Sequence, residues 1–364
     1  MNQGIRLNGT FYRSTQLDDF IHTAISKEDK IFYKEVVGFL QEWFDKSDVV
    51  WVHTSGSTGT PKQLLVKKEH MRNSARATCD FMKLKADDEI LLCMSVKYIA
   101  GKMMLVRAAV ANLSVWVVTP SGRPLKSFSK VVDFAAMVPL QIFNTLQVEP
   151  EKIRLQRIKH LLIGGGSIDE AMAAELLQFP HGVYSSYGMT ETVSHIAIRE
   201  LSGVEASEWY YPFPSVKLSQ TDQGALIIDA PLVSDSQLIT NDVIEFNSDG
   251  GFRILGRLDN IINTGGVKIQ AEKVEQKIEN LIDCPYVVTS RRDAKLGEAV
   301  TLLIESNLCD VSQLKEALKE CLTSYELPKD IFLVETLPLT DTQKIKRVDC
   351  KQLADQLYQQ HKTI

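Results

Sequence analysis

Residues 50–62 of this chain read VWVHTSGSTGTPK. The apolar run Val50–Val52 is followed by a loop of glycine and hydroxyl residues, which is the strand-then-loop order of α/β folds. Glycines let successive backbone N–H groups converge on anionic oxygens, hydroxyls add donors, and Lys62 adds a positive charge. Segment 54–62 therefore predicts a phosphate-binding loop, with a flexible Gly/Ser loop as the alternative. Its Pro-Lys ending does not fit the Walker pattern G-x-x-x-x-G-K-[ST].

The same order of strand, loop and helix recurs along the chain. Val115–Val118 precedes a turn with Pro120 and Gly122, and His160–Ile163 precedes three consecutive glycines. These repeats predict an α/β fold class. In the last hundred residues, leucines at helical spacing and the β-forming run Ala299–Ile304 predict a second, small α+β unit.

A boundary between two domains is predicted near residue 256. Residues 247–251 read NSDGG, which is turn chemistry, and a helix-bearing segment follows from Glu272. We therefore expect an N-terminal domain over residues 1–256 and a C-terminal domain over residues 257–364.

Composition excludes several classes of protein. The 364 residues carry a net charge of −5, without the basic excess that nucleic-acid binding requires. The sequence has no apolar stretch of about 18 residues that would span a membrane, and residues 1–18 do not read as a secretory signal. The six cysteines are scattered, which argues against zinc. A cytoplasmic location is expected, and a homodimer is left open.

Further motifs follow the loop in a fixed order. Residues 187–191 read YGMTE, Asp242 follows in a TND triplet, residues 256–259 read GRLD, and residues 342–345 read TQKI. Together with residues 54–62, they resemble the motifs of the adenylate-forming superfamily, which contains acyl-CoA synthetases, peptide-synthetase adenylation domains and luciferases. The resemblance implies a large multi-sheet AMP-binding domain and a small mobile α+β lid that turns about a hinge near Asp259.

The resemblance also implies roles for individual residues. Lys344, Lys62 and Glu191 would be catalytic, and Glu191 and Thr190 would hold Mg²⁺. The residues expected to contact ATP or AMP are Thr54, Ser55, Gly56, Ser57, Thr58, Gly59, Gly164, Gly165, Gly166, Tyr187, Gly188, Met189, Thr190, Asp242 and Arg257. The alternative for the glycines at 164–166 is an ordinary strand-to-helix turn, and for Glu191 a surface acid.

The chemistry of adenylation gives these residue types a reason. A carboxylate that attacks the α-phosphate of ATP brings two anions together, so the site must supply cations and fixed donors. Lys62, Lys344 and Mg²⁺ would supply them. Coenzyme A is the expected co-substrate. In a second lid pose that removes Lys344, residues Gly265, Gly266 and Lys268 would line its path.

Two positions depart from the family pattern. The usual T-G-D is Thr240-Asn241-Asp242 here, and the usual T-G-K is Thr342-Gln343-Lys344. Asn tolerates positive φ, so the first change is mild, whereas Gln343 puts the local lysine geometry in question. The chain is also short for the family.

The length, the triple glycine and residues 185–192 (SSYGMTET) are most similar to 2-succinylbenzoate–CoA ligases of menaquinone biosynthesis. Such a diacid needs a counter-charge for its second carboxylate, and Lys97 or Lys102 is the hypothesis for it, against solvated lysines. His195 is a candidate for the acyl pocket. The alternatives are another aryl- or fatty-acid–CoA ligase, transfer to a carrier protein, and a nucleotide-binding module without catalysis.

Overall fold

In a computed structural model of the chain, residues 3–53, 63–306, 308–340 and 344–362 are described. The predicted phosphate loop lies outside these four ranges, and with it Thr54, Ser55, Gly56, Ser57, Thr58, Gly59 and Lys62. Thr342 and Gln343 also lie outside the described residues.

The strands are, in chain order, β1 (Gly4–Leu7), β2 (Thr10–Arg13), β3 (Val49–His53), β4 (Gln63–Lys67), β5 (Glu89–Leu92), β6 (Ser114–Val117), β7 (Phe134–Met137), β8 (His160–Ile163), β9 (Gly182–Gly188), β10 (His195–Glu200), β11 (Tyr211–Pro212), β12 (Lys217–Gln220), β13 (Ala225–Asp229), β14 (Leu238–Phe246), β15 (Phe252–Arg257), β16 (Ile261–Thr264), β17 (Val267–Gln270), β18 (Tyr286–Asp293), β19 (Gly297–Glu305) and β20 (Asp330–Val334).

The helices are α1 (Asp18–Ile21), α2 (Lys27–Phe44), α3 (Lys68–Phe81), α4 (Ile99–Ala111), α5 (Pro139–Leu146), α6 (Glu149–Leu155), α7 (Glu170–Leu176), α8 (Ala271–Ile278), α9 (Val311–Cys321) and α10 (Arg347–Lys362). Short 3₁₀ turns cover Thr190–Thr192, Leu258–Asn260 and Glu279–Leu281.

A nine-stranded sheet forms the centre of the N-terminal part, with the order β11-β10-β9-β8-β7-β5-β6-β1-β2. Its middle strands β9, β8, β7, β5, β6 and β1 run parallel to one another. Parallel strands are covered on both faces and read as continuous apolar runs. Ile90–Leu92 and Leu161–Ile163 fit this rule because all their side chains are buried. The carboxyl ends of β5, β7 and β8 lead into loops that line a large cleft.

Two smaller sheets complete the N-terminal part. Strands β12-β13-β14-β15 form an antiparallel sheet, and β3 pairs with β4 in a two-stranded ribbon that flanks residues 54–62. The four-stranded sheet approaches the large sheet through the bridge between Tyr210 and Phe252, whose rings stack at 5.6 Å. This contact brings β14, with Asp242, towards the end of β9.

The C-terminal unit, residues 261–362, has its own sheet in the order β17-β16-β19-β18, with β20 beside β19. Its buried hydrophobic clusters contain residues from Ile262 onwards, whereas those of the N-terminal part end at Phe252. Helix α10 is attached through the buried Arg291, whose guanidinium bonds Asp330 at 2.6 Å and lies over the ring of Tyr358.

These observations confirm the predicted fold class, an α/β protein with a large multi-sheet part and a smaller C-terminal β/α part. The division of the chain at residue 256 stays a prediction, although the four-stranded sheet ends at Arg257 and the next sheet starts at Ile261. The helix expected from Glu272 begins at Ala271, ends at Ile278 and is followed by a 3₁₀ turn. No helix in the described ranges has the length and apolar character to cross a membrane.

Candidate active site

A cleft of about 3300 Å³ is lined by both parts of the molecule. The N-terminal part contributes the loops after β5, β7 and β8, the end of β9 and facing residues of β14 and β15. The C-terminal unit contributes α8 and the segment that contains Lys344 and Arg347. Ligands of open α/β sheets bind at the carboxyl ends of parallel strands, so the cleft lies where such a site is expected.

The glycines after β8 allow close backbone approach at this edge. A Cβ on Gly164 would lie 2.5 Å from the Ser186 hydroxyl oxygen, and Gly165 has φ of +84°. Side chains at these two positions would clash or strain the backbone. Gly164, Gly165 and Gly166, which were predicted to contact ATP or AMP, all line the cleft. Contact with an adenine base stays a prediction.

Tyr187, Asp242 and Arg257 form a hydrogen-bonded group, although they come from three different strands. The Tyr187 hydroxyl donates to Asp242 Oδ2 at 2.5 Å, and Arg257 Nη1 donates to Asp242 Oδ1 at 2.8 Å. Asp242 and Arg257 are opposite each other in the β14–β15 ladder. Both carboxylate oxygens are thus oriented, and each keeps a lone pair that can accept a hydrogen bond from a ribose hydroxyl.

The predicted hinge residue Asp259 is tied to the same arginine. Arg257 Nε and Nη2 donate to its two oxygens at 2.9 Å each, and Asn241 Nδ2 donates at 3.4 Å. Burial alone would raise the pKa of Asp259, but the bonds from Arg257 outweigh it and lower that pKa. Burial and the neighbouring Asp242 raise the pKa of the Tyr187 hydroxyl, which therefore stays protonated as a donor.

The YGMTE motif turns sharply at the mouth of the cleft. A Cβ on Gly188 would overlap the Ser194 carbonyl oxygen, so only glycine fits where β9 meets β10. Met189 then leads into the 3₁₀ turn Thr190–Thr192, whose exposed Glu191 lines the cleft.

The two residues predicted to hold Mg²⁺ lie in this turn and carry suitable donor atoms. Thr190 and Glu191 offer a hydroxyl and a carboxylate, which are the hard oxygen donors that Mg²⁺ prefers. In the described ranges, no group of three His, Cys, Asp or Glu side chains forms a protein-only metal site. One carboxylate is sufficient for Mg²⁺, because the ion takes its remaining ligands from phosphates and water.

Lys344 lines the same cleft from the C-terminal unit. Its backbone is held by two hydrogen bonds to Thr340, Thr340 N to Lys344 O at 2.7 Å and Lys344 N to Thr340 Oγ1 at 3.1 Å. Burial, followed by the nearby Arg257 charge, lowers the pKa of its ammonium. No carboxylate of the described residues forms an ion pair with it. Its charge is therefore available to an anionic ligand.

The residues predicted for the coenzyme A path lie elsewhere in this lid pose. Gly265 and Gly266, with φ of +59° and +85°, form the turn between β16 and β17, and Lys268 lies on β17. None of the three lines the cleft. The pose therefore presents Lys344 to the cleft and keeps the glycine turn away from it.

The two lysines predicted to bind a second carboxylate have other partners. Lys97 pairs with Glu35 at 3.0 Å on the surface. Lys102 is buried and donates to the Trp51 carbonyl at 2.6 Å, with Glu42 at 3.6 Å. Neither side chain lines the cleft, because both are turned towards α2 and β3.

Arg107 is the cation that sequence reasoning missed. It lies on α4, is 2% exposed and lines the cleft. Its Nη2 donates to Ser194 Oγ at 3.0 Å, its Nε has no partner, and no carboxylate of the described residues pairs with it. Burial lowers the pKa of Arg107 to about 10, so the side chain stays charged at neutral pH. The sequence signal was a lone arginine inside the apolar helix segment 103–111.

His195 lies next to Arg107 and also lines the cleft. It is 7% exposed, with Nε2 3.1 Å from Thr78 Oγ1 and Nδ1 3.2 Å from Ser194 Oγ. Burial, followed by the Arg107 charge, lowers its pKa well below the ordinary value. The imidazole is therefore neutral at physiological pH.

We expect His195 to make the stability of the protein depend on pH. An unfolded histidine takes up a proton near pH 6.5, whereas the folded His195 resists it, so the free energy of unfolding falls as pH drops through that range. His195→Gln should remove this part of the dependence, about 1 kcal/mol between pH 7.5 and 5.5. Urea unfolding at both pH values measures it, with the exposed His22→Gln as the matched control. An unchanged pH dependence in His195→Gln would contradict the assignment.

Comparison with known proteins identifies a family and several relatives of this chain. The sequence pattern of the family described as AMP-binding enzyme matches residues 13–230. A 2-succinylbenzoate–CoA ligase of Enterococcus faecalis is 24% identical over 361 residues, covering 90% of this chain and 73% of the relative. A ligase of the same name from Staphylococcus aureus is 27% identical over 336 residues, covering 84% of this chain and 67% of the relative.

Solved structures give the same result for the fold. A protein of Dyadobacter fermentans, described as acyl-CoA synthetase (AMP-forming)/AMP-acid ligase II-like, is 32% identical with a TM-score of 0.61, covering 92% of this chain and 97% of its own. The o-succinylbenzoate CoA synthetase of Bacillus subtilis, in complex with its acyl-adenylate intermediate, has a TM-score of 0.69 at 22% identity. The match covers 83% of this chain and 68% of that structure's chain. From the match over residues 13–230, this chain belongs to the AMP-binding enzyme family.

Proposed function

We propose that this chain is an ATP-dependent acid–CoA ligase that converts 2-succinylbenzoate to its CoA thioester through an acyl-adenylate, a step of menaquinone biosynthesis. One observation carries the proposal. The cleft that holds Lys344 and the Tyr187–Asp242–Arg257 group also holds a buried arginine without a carboxylate partner among the described residues. A dianionic acid fits such a cleft better than a monoacid does.

The nucleotide would bind at the edge formed by β8, β9 and β14. Asp242, oriented by Tyr187 and Arg257, would accept hydrogen bonds from the ribose hydroxyls. The glycines at 164–166 leave room for the base beside the backbone. Two solved structures of similar fold contain ATP with magnesium and an acyl-adenylate, which supports nucleotide binding by this fold.

In the first half-reaction, an oxygen of the acid carboxylate attacks the α-phosphate and pyrophosphate leaves. Negative charge accumulates on the phosphate oxygens, and Lys344 would stabilise it from the C-terminal side. When bound, Mg²⁺ neutralises phosphate charge, and Glu191 and Thr190 are the residues that would hold it. The residues of loop 54–62 would add donors, as the sequence predicts.

In the second half-reaction, the thiol of coenzyme A attacks the acyl carbonyl, AMP leaves and the thiol proton passes to solvent. Lys344 occupies the cleft in the present pose, so the C-terminal unit has to turn before the thiol can enter. Gly256, with φ of +143°, and the tied Asp259 lie where that turn would occur. The turn would bring Gly265, Gly266 and Lys268 to the path of coenzyme A.

Arg107 is the proposed partner of the non-reacting carboxylate, in place of Lys97 and Lys102. A fully buried guanidinium is costly unless an anion or several acceptors compensate it. Among the described residues it has one strong acceptor, Ser194. A fatty acid would leave that charge uncompensated, which disfavours the fatty-acid ligase as an alternative.

Location and assembly stay predictions from the sequence: a cytoplasmic enzyme, with a homodimer left open. A carrier protein as the acyl acceptor and a nucleotide-binding module without catalysis are the remaining alternatives. Product analysis and two substitutions in the cleft separate them from the proposed ligase.

Lys344→Ala should impair only one half-reaction. Without this ammonium the phosphate charge loses a fixed cation, so adenylation, measured as pyrophosphate release, should fall by roughly 10²–10³-fold. Thioester formation from supplied acyl-adenylate should change less than about threefold, because Lys344 has left the cleft in that pose. Equal losses in both half-reactions would mean that Lys344 serves the fold rather than adenylation.

Arg107→Met should act on the acid and not on the nucleotide. Removing one partner of a buried charge pair costs about 2 kcal/mol or more, so the KM for 2-succinylbenzoate should rise at least about thirtyfold. The KM for ATP should stay within about twofold. Lys97→Met, which removes a cation outside the cleft, is the matched control and should leave both KM values unchanged. A similar rise for Lys97→Met alone would restore the original lysine hypothesis.

The reaction itself is tested by mass spectrometry of the protein with Mg-ATP, coenzyme A and a panel of acids. The panel contains 2-succinylbenzoate, the two monoacids that each lack one of its carboxylates, aryl acids and fatty acids. A thioester and an equal amount of AMP from 2-succinylbenzoate are expected. AMP without thioester would indicate a carrier-protein acceptor, and ATP left intact with every acid would indicate a module without catalysis.

A further inference from the structure

A continuous line of hydrogen bonds links α3 to the Arg107 guanidinium. Thr78 Oγ1 lies 3.1 Å from the Ser74 carbonyl oxygen and 3.1 Å from His195 Nε2. His195 Nδ1 lies 3.2 Å from Ser194 Oγ, which lies 3.0 Å from Arg107 Nη2. We call Thr78, His195, Ser194 and Arg107 the relay.

The chemistry of each group fixes the direction of every bond in the relay. A guanidinium only donates, so Ser194 Oγ accepts from Arg107. The Ser74 carbonyl only accepts, so the Thr78 hydroxyl uses its single proton there. Thr78 must therefore accept from His195, which places the imidazole proton on Nε2. Nδ1 is then an acceptor, and the Ser194 hydroxyl donates to it.

The relay requires a neutral imidazole between two hydroxyls. A proton on both nitrogens would take away the acceptor that Ser194 uses and would place a second positive charge beside Arg107. Burial and the Arg107 charge lower the pKa of His195 and so prevent this. Cys79, whose charge would also affect Arg107, stays a neutral thiol because burial raises its pKa to about 11. Because His195 and Cys79 are both neutral, neither one repels or neutralises the charge of the Arg107 guanidinium.

From this directed line of bonds we propose that Thr78 is a positioning residue for acid specificity, which fixes Arg107 towards the second carboxylate of the substrate through His195 and Ser194. This role rests on the proposed function. Thr78 is fully buried and does not line the cleft, so it would act only through its neighbours. A cation that is already oriented loses less freedom when the anion binds, and the affinity gained is specific to that anion.

The test uses Thr78→Val, which keeps the shape of the side chain and removes the hydroxyl. His195 Nε2–H then has no acceptor, and a lost buried hydrogen bond corresponds to roughly a five- to tenfold rise in the KM for 2-succinylbenzoate. The KM for ATP, and that for whichever matched monoacid is a substrate, should change less than about twofold. Thr78→Ser restores the hydroxyl and should return the KM for 2-succinylbenzoate to near the wild-type value.

Thr145→Val is a matched control. Thr145 is also a fully buried helical threonine whose hydroxyl donates to the carbonyl four residues earlier, Gln141 O, at 2.6 Å. It lies outside the relay, so its substitution should destabilise the fold in a similar way without a selective rise in the KM for the diacid.

A double-mutant cycle shows whether Thr78 acts through Arg107. On the Arg107→Met background, Thr78→Val should cause no further rise in the KM for 2-succinylbenzoate, because the group it positions is gone. If Thr78→Val does not fold, Ser194→Ala interrupts the relay one step closer to Arg107 and should give the same selective rise.

The outcomes separate the role of Thr78 from the proposed function. A wild-type protein that forms no thioester from 2-succinylbenzoate overturns the proposed substrate, and the role of Thr78 with it. A wild type that forms the thioester, with Thr78→Val equal to Thr145→Val, overturns the role of Thr78 alone. An equal rise in the KM values for diacid, monoacid and ATP, or an additive double mutant, also overturns it.

Discussion

The arginine at the end of β15 connects the proposed nucleotide site to the C-terminal unit. Arg257 donates to Asp242 with one nitrogen and to both oxygens of Asp259 with two others. A planar guanidinium is the side chain that can hold two carboxylates in fixed directions at once. Its own backbone carbonyl accepts from the side chain of Gln270, the last residue of β17. One residue thus contacts both the Asp242 carboxylate and the start of the C-terminal unit.

This connection has a mechanical consequence. The bonds from Arg257 to Asp259 are between charged groups two residues apart, so they can persist while the chain after residue 260 turns. Gly256, beside them, has φ of +143°, which residues with a side chain rarely adopt. A rigid ion pair next to a permissive backbone position is a suitable arrangement for a hinge, because the motion is confined to a few residues.

The sequence predicted local features better than tertiary ones. The glycines at 164–166 and the YGMTE turn were found because each places special residues at the end of a strand, and strands such as β8 were found from their apolar runs. The β16–β17 hairpin and α10 were not predicted, although residues 267–270 (VKIQ) alternate between apolar and polar and α10 has apolar residues at helical spacing, at positions 350, 353, 354, 357 and 358. The phosphate loop, which decided the fold prediction, lies outside the described residues, and its role stays a prediction.

The counter-charge was harder to predict for a physical reason. Lys97 and Lys102 were chosen for their charge, but their partners come from α2 and β3, far away in sequence. Arg107 is a single charged residue in an otherwise apolar helix segment. Its proposed role depends on its burial, which is a tertiary property.

In the proposed reaction the two kinds of cation in the cleft have different tasks, and this separation would allow specificity to vary on a common scaffold. Lys344 belongs to the C-terminal unit, which is proposed to turn between half-reactions, and its partial burial would let its charge be withdrawn. Arg107 belongs to a helix packed on the central sheet and is held by the relay. Because the cation for the phosphate and the cation for the second carboxylate lie on separate elements, exchange of the second would change the acid without changing the chemistry.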